Sequence, residues 1–277
     1  TWGTADDSTQ QPLTERTLFQ AASISKPVAA LGALKIVENG CFTMDTSIVN
    51  YLKRWHLPNN TFTQQEPITL AHLLSHTAGT TVHGFCGYAQ SAQQATIIEV
   101  LNGSGMANSA PVDVDTLPGS SFRYSGGGYA VLQMAMEDVS GKSFTALMDE
   151  LVLEPAEMKA STYAQPLPKA LWANAATGHI DGQVIEGKFH NYPEQAAASL
   201  WTTPGDLAKF SLAVLKAARS EADAILSPEM TQQFLTPQRN SWGLGPRLYE
   251  QDGKVIGFHQ KKVDRHLKRS KKKWTGT

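Results

Sequence analysis

The sequence predicts an α+β fold: an antiparallel sheet built from both ends of the chain and flanked by helices, with a mostly helical region inserted between. Three observations predict it. Strand-like pieces lie near the ends, at residues 1–4, 242–245 and 255–258. Helical periodicity and capping signals crowd the interval between them. No internal repeat and no long linker divides the 277 residues into independent units, and that length is ample for a full core. On this reading residues 1–55 and 200–260 form a discontinuous sheet domain and residues 56–199 the inserted helical domain. Residues 261–277 form a basic tail outside the fold.

A polar stretch from Asp6 to Gln11, ending in Pro12, leads from the first strand into a helix that starts at Lys26. Val28, Leu31, Leu34 and Val37 recur there at steps of three, Pro27 fits the first turn, and Asn39-Gly40 is a stop signal. A short helical segment follows around Ile48, and residues 56–67 read as loop from their Pro, Asn, Thr and Gln content. Thr69 caps a helix through His76 that stops near Gly79, and a further helix spans 92–101. Gly126, Gly127 and Gly128 form a tight turn feeding a helix over 129–139. Ser143 caps another helix over 144–152. Residues 161–196 are irregular, with strand-like pieces near 179–180 and 184–185. Thr203-Pro204-Gly205-Asp206 reads as a capping box for a helix over 207–218, and Ser227-Pro228-Glu229 opens a shorter one.

Composition narrows the function classes. No apolar run approaches a membrane span, and no signal-peptide pattern is present. Of 24 basic and 25 acidic residues, eight basic and one acidic lie in 261–273, which leaves the remainder at a net −8. A basic tail on an acidic body can contact nucleic acid, but no basic patch with interleaved aromatics supports that elsewhere, so no nucleic-acid partner is expected. Cys41 and Cys86 lack metal-ligand spacing and are expected as free thiols. His72 and His76 stand four apart, yet Leu73 occupies the place of a zinc protease's glutamate, so both are expected to be structural. The glycines at 126–128 lack the Lys-Ser/Thr continuation of a phosphate loop. No metal or cofactor is expected.

The chemistry-bearing candidates are Ser23 and Lys26, three residues apart at a helix start and on one face. The positive end of the helix dipole disfavours a charged lysine there, and a lysine shifted toward neutrality can take the serine proton. Alone the pair is also compatible with an ordinary helix start, with Ser23 or Ser25 as cap and Lys26 solvated; the same spacing recurs at Ser270 and Lys273. Two further elements follow in order: Tyr124-Ser125-Gly126 before the glycine turn, and His259 on a strand near the end.

With these three elements, and with the blocks at 17–27, 73–79, 118–133, 200–210 and 242–245, the chain resembles the class C beta-lactamase and penicillin-binding-protein-like serine hydrolases. That group includes DD-peptidases, D-aminopeptidases and family VIII carboxylesterases. The resemblance covers roughly residues 1–259 and implies the beta-lactamase/DD-peptidase-like fold. It implies Ser23 as acyl-forming nucleophile, Lys26 as base and Tyr124 as proton relay, with Ser125, Gly126 and His259 facing the substrate. The substrate would be a small ester, amide or beta-lactam, and a periplasmic or secreted setting is favoured. The sequence departs from the family pattern twice. Gly126 stands where the second motif often carries Asn, which favours an esterase or peptidase over a true beta-lactamase. His259-Gln260-Lys261 has the first residue of the third motif without its glycine. Because that departure coincides with the Lys/Arg run, the expectation is a family member incomplete at both ends. Its sheet edge would be exposed, and the alternative function is an impaired chain that only binds.

Overall fold

The computed structural model describes residues 3–251 and 254–258. His259, Ser270, Lys273 and the basic run lie outside the described residues. The chain opens with the hairpin β1 (Thr4–Asp6) and β2 (Gln11–Pro12). Lys188 ion-pairs with Asp6, and the Thr177 amide donates to Ala5, so the hairpin is tied to the later irregular segment. Strand β3 (Phe19–Gln20) then passes through a tight turn over Ala22–Ile24 into helix α1 (Ser25–Glu38).

Helix α1 is the centre of the molecule. Its residues from Ser25 to Leu34 are all buried, because it is apolar on nearly every side. Around it come α2 (Thr61–Gln65), α3 (Leu70–Leu74), α4 (Ile97–Asn102), α5 (Gly126–Ser140) and α6 (Phe144–Met148). An exposed hairpin follows, β4 (His179–Ile180) and β5 (Gln183–Val184), turned by Asp181-Gly182. Next are α7 (Gln195–Ala198), β6 (Trp201–Thr202), α8 (Pro204–Ala218) and α9 (Pro228–Phe234), and last the hairpin β7 (Arg247–Gln251) and β8 (Lys254–Phe258). Among the described residues the strands form four antiparallel pairs, β1–β2, β3–β6, β4–β5 and β7–β8. The β3–β6 pair joins the start of the chain to its last third, Phe19 facing Thr202 and Gln20 facing Trp201. A large apolar cluster runs from Ala21 through α1, α3, α5 and α6 to Leu244.

Capping chemistry places most helices where the sequence expects them. Thr69 and Thr96 each close a full capping box, and Ser143, Thr203 and Ser227 each accept an amide from the first turn. Several expectations are corrected. Asn60 caps helix α2 inside the segment read as loop, and α4 starts at Ile97 because Thr96 is its cap. The three glycines are the first turn of α5 rather than a turn before it. Thr203 makes only half a capping box, since Asp206 turns instead to the Ala160 amide, the Ser161 hydroxyl and Lys209. Residues 242–245 are not a strand. Gly245 packs so tightly against α1 that an added Cβ would stand 2.5 Å from Ala30 Cβ, and its φ of +125° suits glycine alone. The segment therefore lies as a turn across the start of α1, with only bridge contacts at Trp242. Cys41 and Cys86 are exposed and free. Among the described residues no helix is long and apolar enough to cross a membrane.

Candidate active site

Ser23 sits in the tight turn before α1, half-buried. Ala22, just before it, has φ +48°, a left-handed conformation that a non-glycine residue adopts at a cost of about 1–3 kcal/mol. Neighbouring bonds hold it there. The Ala21 amide donates to Leu200 O at 2.8 Å, Ser25 Oγ donates to Ala22 O at 2.5 Å, and the Leu200 amide donates to Ser25 Oγ at 3.0 Å.

Lys26 begins the buried run of α1 and is only 2% exposed. The expectation of a solvated lysine is therefore excluded. Its Nζ donates to Ala197 O at 2.8 Å and lies 3.4 Å from Ser23 Oγ. The rings of Tyr124 and Tyr129 flank it, with centroids 5.0 and 5.6 Å away. Among the described residues no carboxylate pairs with it, so burial goes uncompensated and lowers its pKa from an ordinary 10.5 to about 7. At neutral pH a large fraction of Lys26 is a free amine.

Tyr124 completes the group. It shares a side-chain hydrogen bond with Ser23, and burial nevertheless raises its pKa to about 12. It is thus a neutral phenol throughout the physiological range. Its ring lies against those of His76 at 4.3 Å, His83 at 5.0 Å and Trp242 at 5.4 Å between centroids. His76 is held by accepting the Ser125 amide on Nδ1, and His72 by accepting the Thr69 amide on Nδ1. Both histidines spend that nitrogen on local backbone.

The structure brings Ser23, Lys26 and Tyr124 together. Ser125 and Gly126 take other positions. Ser125 is buried as the cap of α5, its Oγ accepting the Gly128 amide at 2.9 Å and donating to Thr81 O at 2.7 Å. Gly126 is covered by the 82–85 segment: a Cβ there would stand 3.0 Å from the Phe85 ring, 3.2 Å from His83 O and 3.3 Å from Gly84 Cα. A side chain in place of this glycine would press on the loop packed over it. A cavity of about 300 Å³ lies beside Ala21 and Ile24, but Ser23, Lys26 and Tyr124 do not line it.

A serine–lysine–tyrosine group with a buried lysine stands at the start of a core helix. A sequence model of the Beta-lactamase family matches residues 1–269. The chain belongs to the Beta-lactamase family. It is similar to esterase EstB of Burkholderia gladioli, 28% identical over 65% of this chain and 46% of the esterase. It is also similar to penicillin-binding protein 4* of Bacillus subtilis, 28% identical over 57% of this chain and 33% of that protein. The matched stretch thus spans less than half the length of either relative. Among solved structures, D-amino acid amidase of Ochrobactrum anthropi superposes with a TM-score of 0.71 at 23% identity, over 93% of this chain and 72% of the amidase. A penicillin-binding protein of Bacillus halodurans gives 0.70 at 22% identity, over 92% and 76%. These superpositions show that this Beta-lactamase-family chain has the beta-lactamase/penicillin-binding-protein fold.

Three contributors to the site were not legible in the sequence. The carbonyl of Ala197 carries no side-chain signal. Neither does the clamp that positions it, in which buried Gln133 on α5 donates Nε2 to Pro193 O at 3.2 Å and accepts the Ala196 amide at 3.2 Å. Trp242 was visible only as part of an expected strand, and Gly245 is the signal that marks it as a turn.

Proposed function

We propose that this Beta-lactamase-family chain is a serine hydrolase that forms an acyl-enzyme on Ser23 from a small ester or amide. The observation that carries the reading is the buried Lys26, its amine 3.4 Å from Ser23 Oγ and its pKa lowered to about 7. Neutral Lys26 takes the proton from Ser23 Oγ as the oxygen attacks the substrate carbonyl carbon. Tyr124, hydrogen-bonded to Ser23, hands a proton to the departing group and is reprotonated from the Lys26 ammonium. Water then attacks the acyl carbon through the same groups in reverse, which frees the acid and restores Ser23. The Ser23 amide, in the first turn before α1, supplies one donor to the oxyanion.

Relatives named as an esterase and a D-amino acid amidase support an ester or amide substrate. The packing of the 82–85 segment on Gly126 supports the same preference over a beta-lactam, because it crowds the position a side chain would take there.

Turnover of a p-nitrophenyl ester and of a chromogenic cephalosporin, with fluorophosphonate labelling, tests the reading in the wild type and in Ser23→Ala. Ester turnover and labelling are expected in the wild type, and both should fall by about a thousandfold or more in Ser23→Ala. Absence of both in the wild type would instead support an impaired chain that only binds.

A further inference from the structure

The segment over Gly126 brings one more functional group to the site. The Gly126 amide donates to His83 O at 3.0 Å and the Gly127 amide to Val82 O at 3.0 Å, so two successive carbonyls of the segment cap the first turn of α5. Presenting both costs strain: Val82 is β-branched yet has φ +61°. The anchoring continues at the preceding residue, Thr81. Ser125 Oγ donates to Thr81 O, and the Thr81 amide donates to Asp113 O at 2.8 Å. The backbone beneath His83 is therefore fixed, while its side chain is exposed. The imidazole lies 5.0 Å from the Tyr124 ring, and it makes no hydrogen bond to the protein among the described residues. A strained, pinned backbone thus holds a hydrogen-bonding side chain beside the tyrosine that contacts Ser23.

We propose that His83 is a substrate-binding residue of the Ser23 site, hydrogen bonding an amide or hydroxyl group on the acyl part of the substrate. The proposal rests on the hydrolase reading above. The acyl side follows from the chemistry. The leaving group departs after the first step, whereas the acyl group stays esterified on Ser23 through both, so a fixed contact to it serves acylation and deacylation alike. Gly126 has no side chain to make such a contact, and the segment packed over it delivers His83 beside Tyr124.

The test compares p-nitrophenyl butyrate with p-nitrophenyl N-acetylglycinate, esters with the same leaving group that differ by an acyl-side amide. His83→Phe keeps a ring against Tyr124 and removes the ring nitrogens; His83→Gln keeps a hydrogen-bonding head. In His83→Phe, kcat/KM for the amide-bearing ester should fall about tenfold, with less than about a twofold change for the butyrate. His83→Gln should restore most of that loss. An equal fall for both esters, no fall for either, or a selective loss that His83→Gln leaves unrestored would overturn the proposal. Fluorophosphonate labelling of Ser23 reports the hydrolase reading separately: it should be equal in all three proteins, and its absence in the wild type would overturn both readings.

Discussion

The start of α1 and the β7–β8 hairpin are held by different means. At the start of α1 several polar groups are met by groups from distant elements. Leu200, Tyr163 and Ala197 all bond to the short stretch from Ala21 to Lys26, and Gln133 and Gln195 clamp α7 behind them. The hairpin, among the described residues, pairs strand to strand from Arg247–Phe258 to Gln251–Lys254, and its Leu248 is fully buried. Gly245 links the two by resting on Ala30. The Ser23–Lys26 pair thus depends on helical packing in the middle of the chain, whereas the hairpin rests on its own strand pairing.

The largest effect expected is from Lys26→Met. Ester turnover and Ser23 labelling should fall by about a thousandfold, because no other base reaches Ser23 among the described residues. The same change should raise thermal stability below about pH 7. Folded Lys26 has its pKa lowered to about 7 against an ordinary 10.5, so the unfolded chain binds the extra proton between those values. Wild-type stability therefore rises as pH climbs through that window, and the advantage of Met should shrink with it. A melting temperature at pH 6 unchanged by Lys26→Met would show that burying this lysine carries no cost.

Two smaller substitutions sharpen the comparison. Leu248→Ala in the hairpin should cost about 2–5 kcal/mol of stability while leaving the pH dependence of activity in place. Gln133→Leu should cost less, about 1–3 kcal/mol, through the unmet Pro193 carbonyl and Ala196 amide. It should nevertheless move the acid limb of activity upward, because a loosened α7 admits water to Lys26 and relieves its desolvation. Denaturant unfolding paired with pH–rate profiles of both variants separates the effects. Equal shifts of the limb in both would show that the two regions act as one.

Most helices were legible because their signals are local. Thr69, Ser143, Thr203 and Ser227 cap where the pattern placed them, and the repeat of Val28, Leu31 and Leu34 marked α1. The pairing of Ser23, Lys26 and Tyr124 was legible from spacing together with family resemblance. What was not legible depends on contacts between distant segments. The turn at 242–245 looked like a strand because its glycine is explained only by Ala30, more than two hundred residues earlier. Gly126 reads in the sequence as a missing side chain, and only the fold brings the 82–85 segment down on it. Ala197 contributes a carbonyl, which every residue has, so composition could not mark it.

The central claim is that burial makes Lys26 a neutral base near neutrality. The most direct test is the pH dependence of the second-order rate of Ser23 labelling by a fluorophosphonate. A neutral-lysine mechanism predicts a rate that rises about tenfold per pH unit below about 7 and levels off above it. A rate still climbing tenfold per unit toward about pH 10 would show Lys26 with an ordinary lysine pKa and contradict the claim.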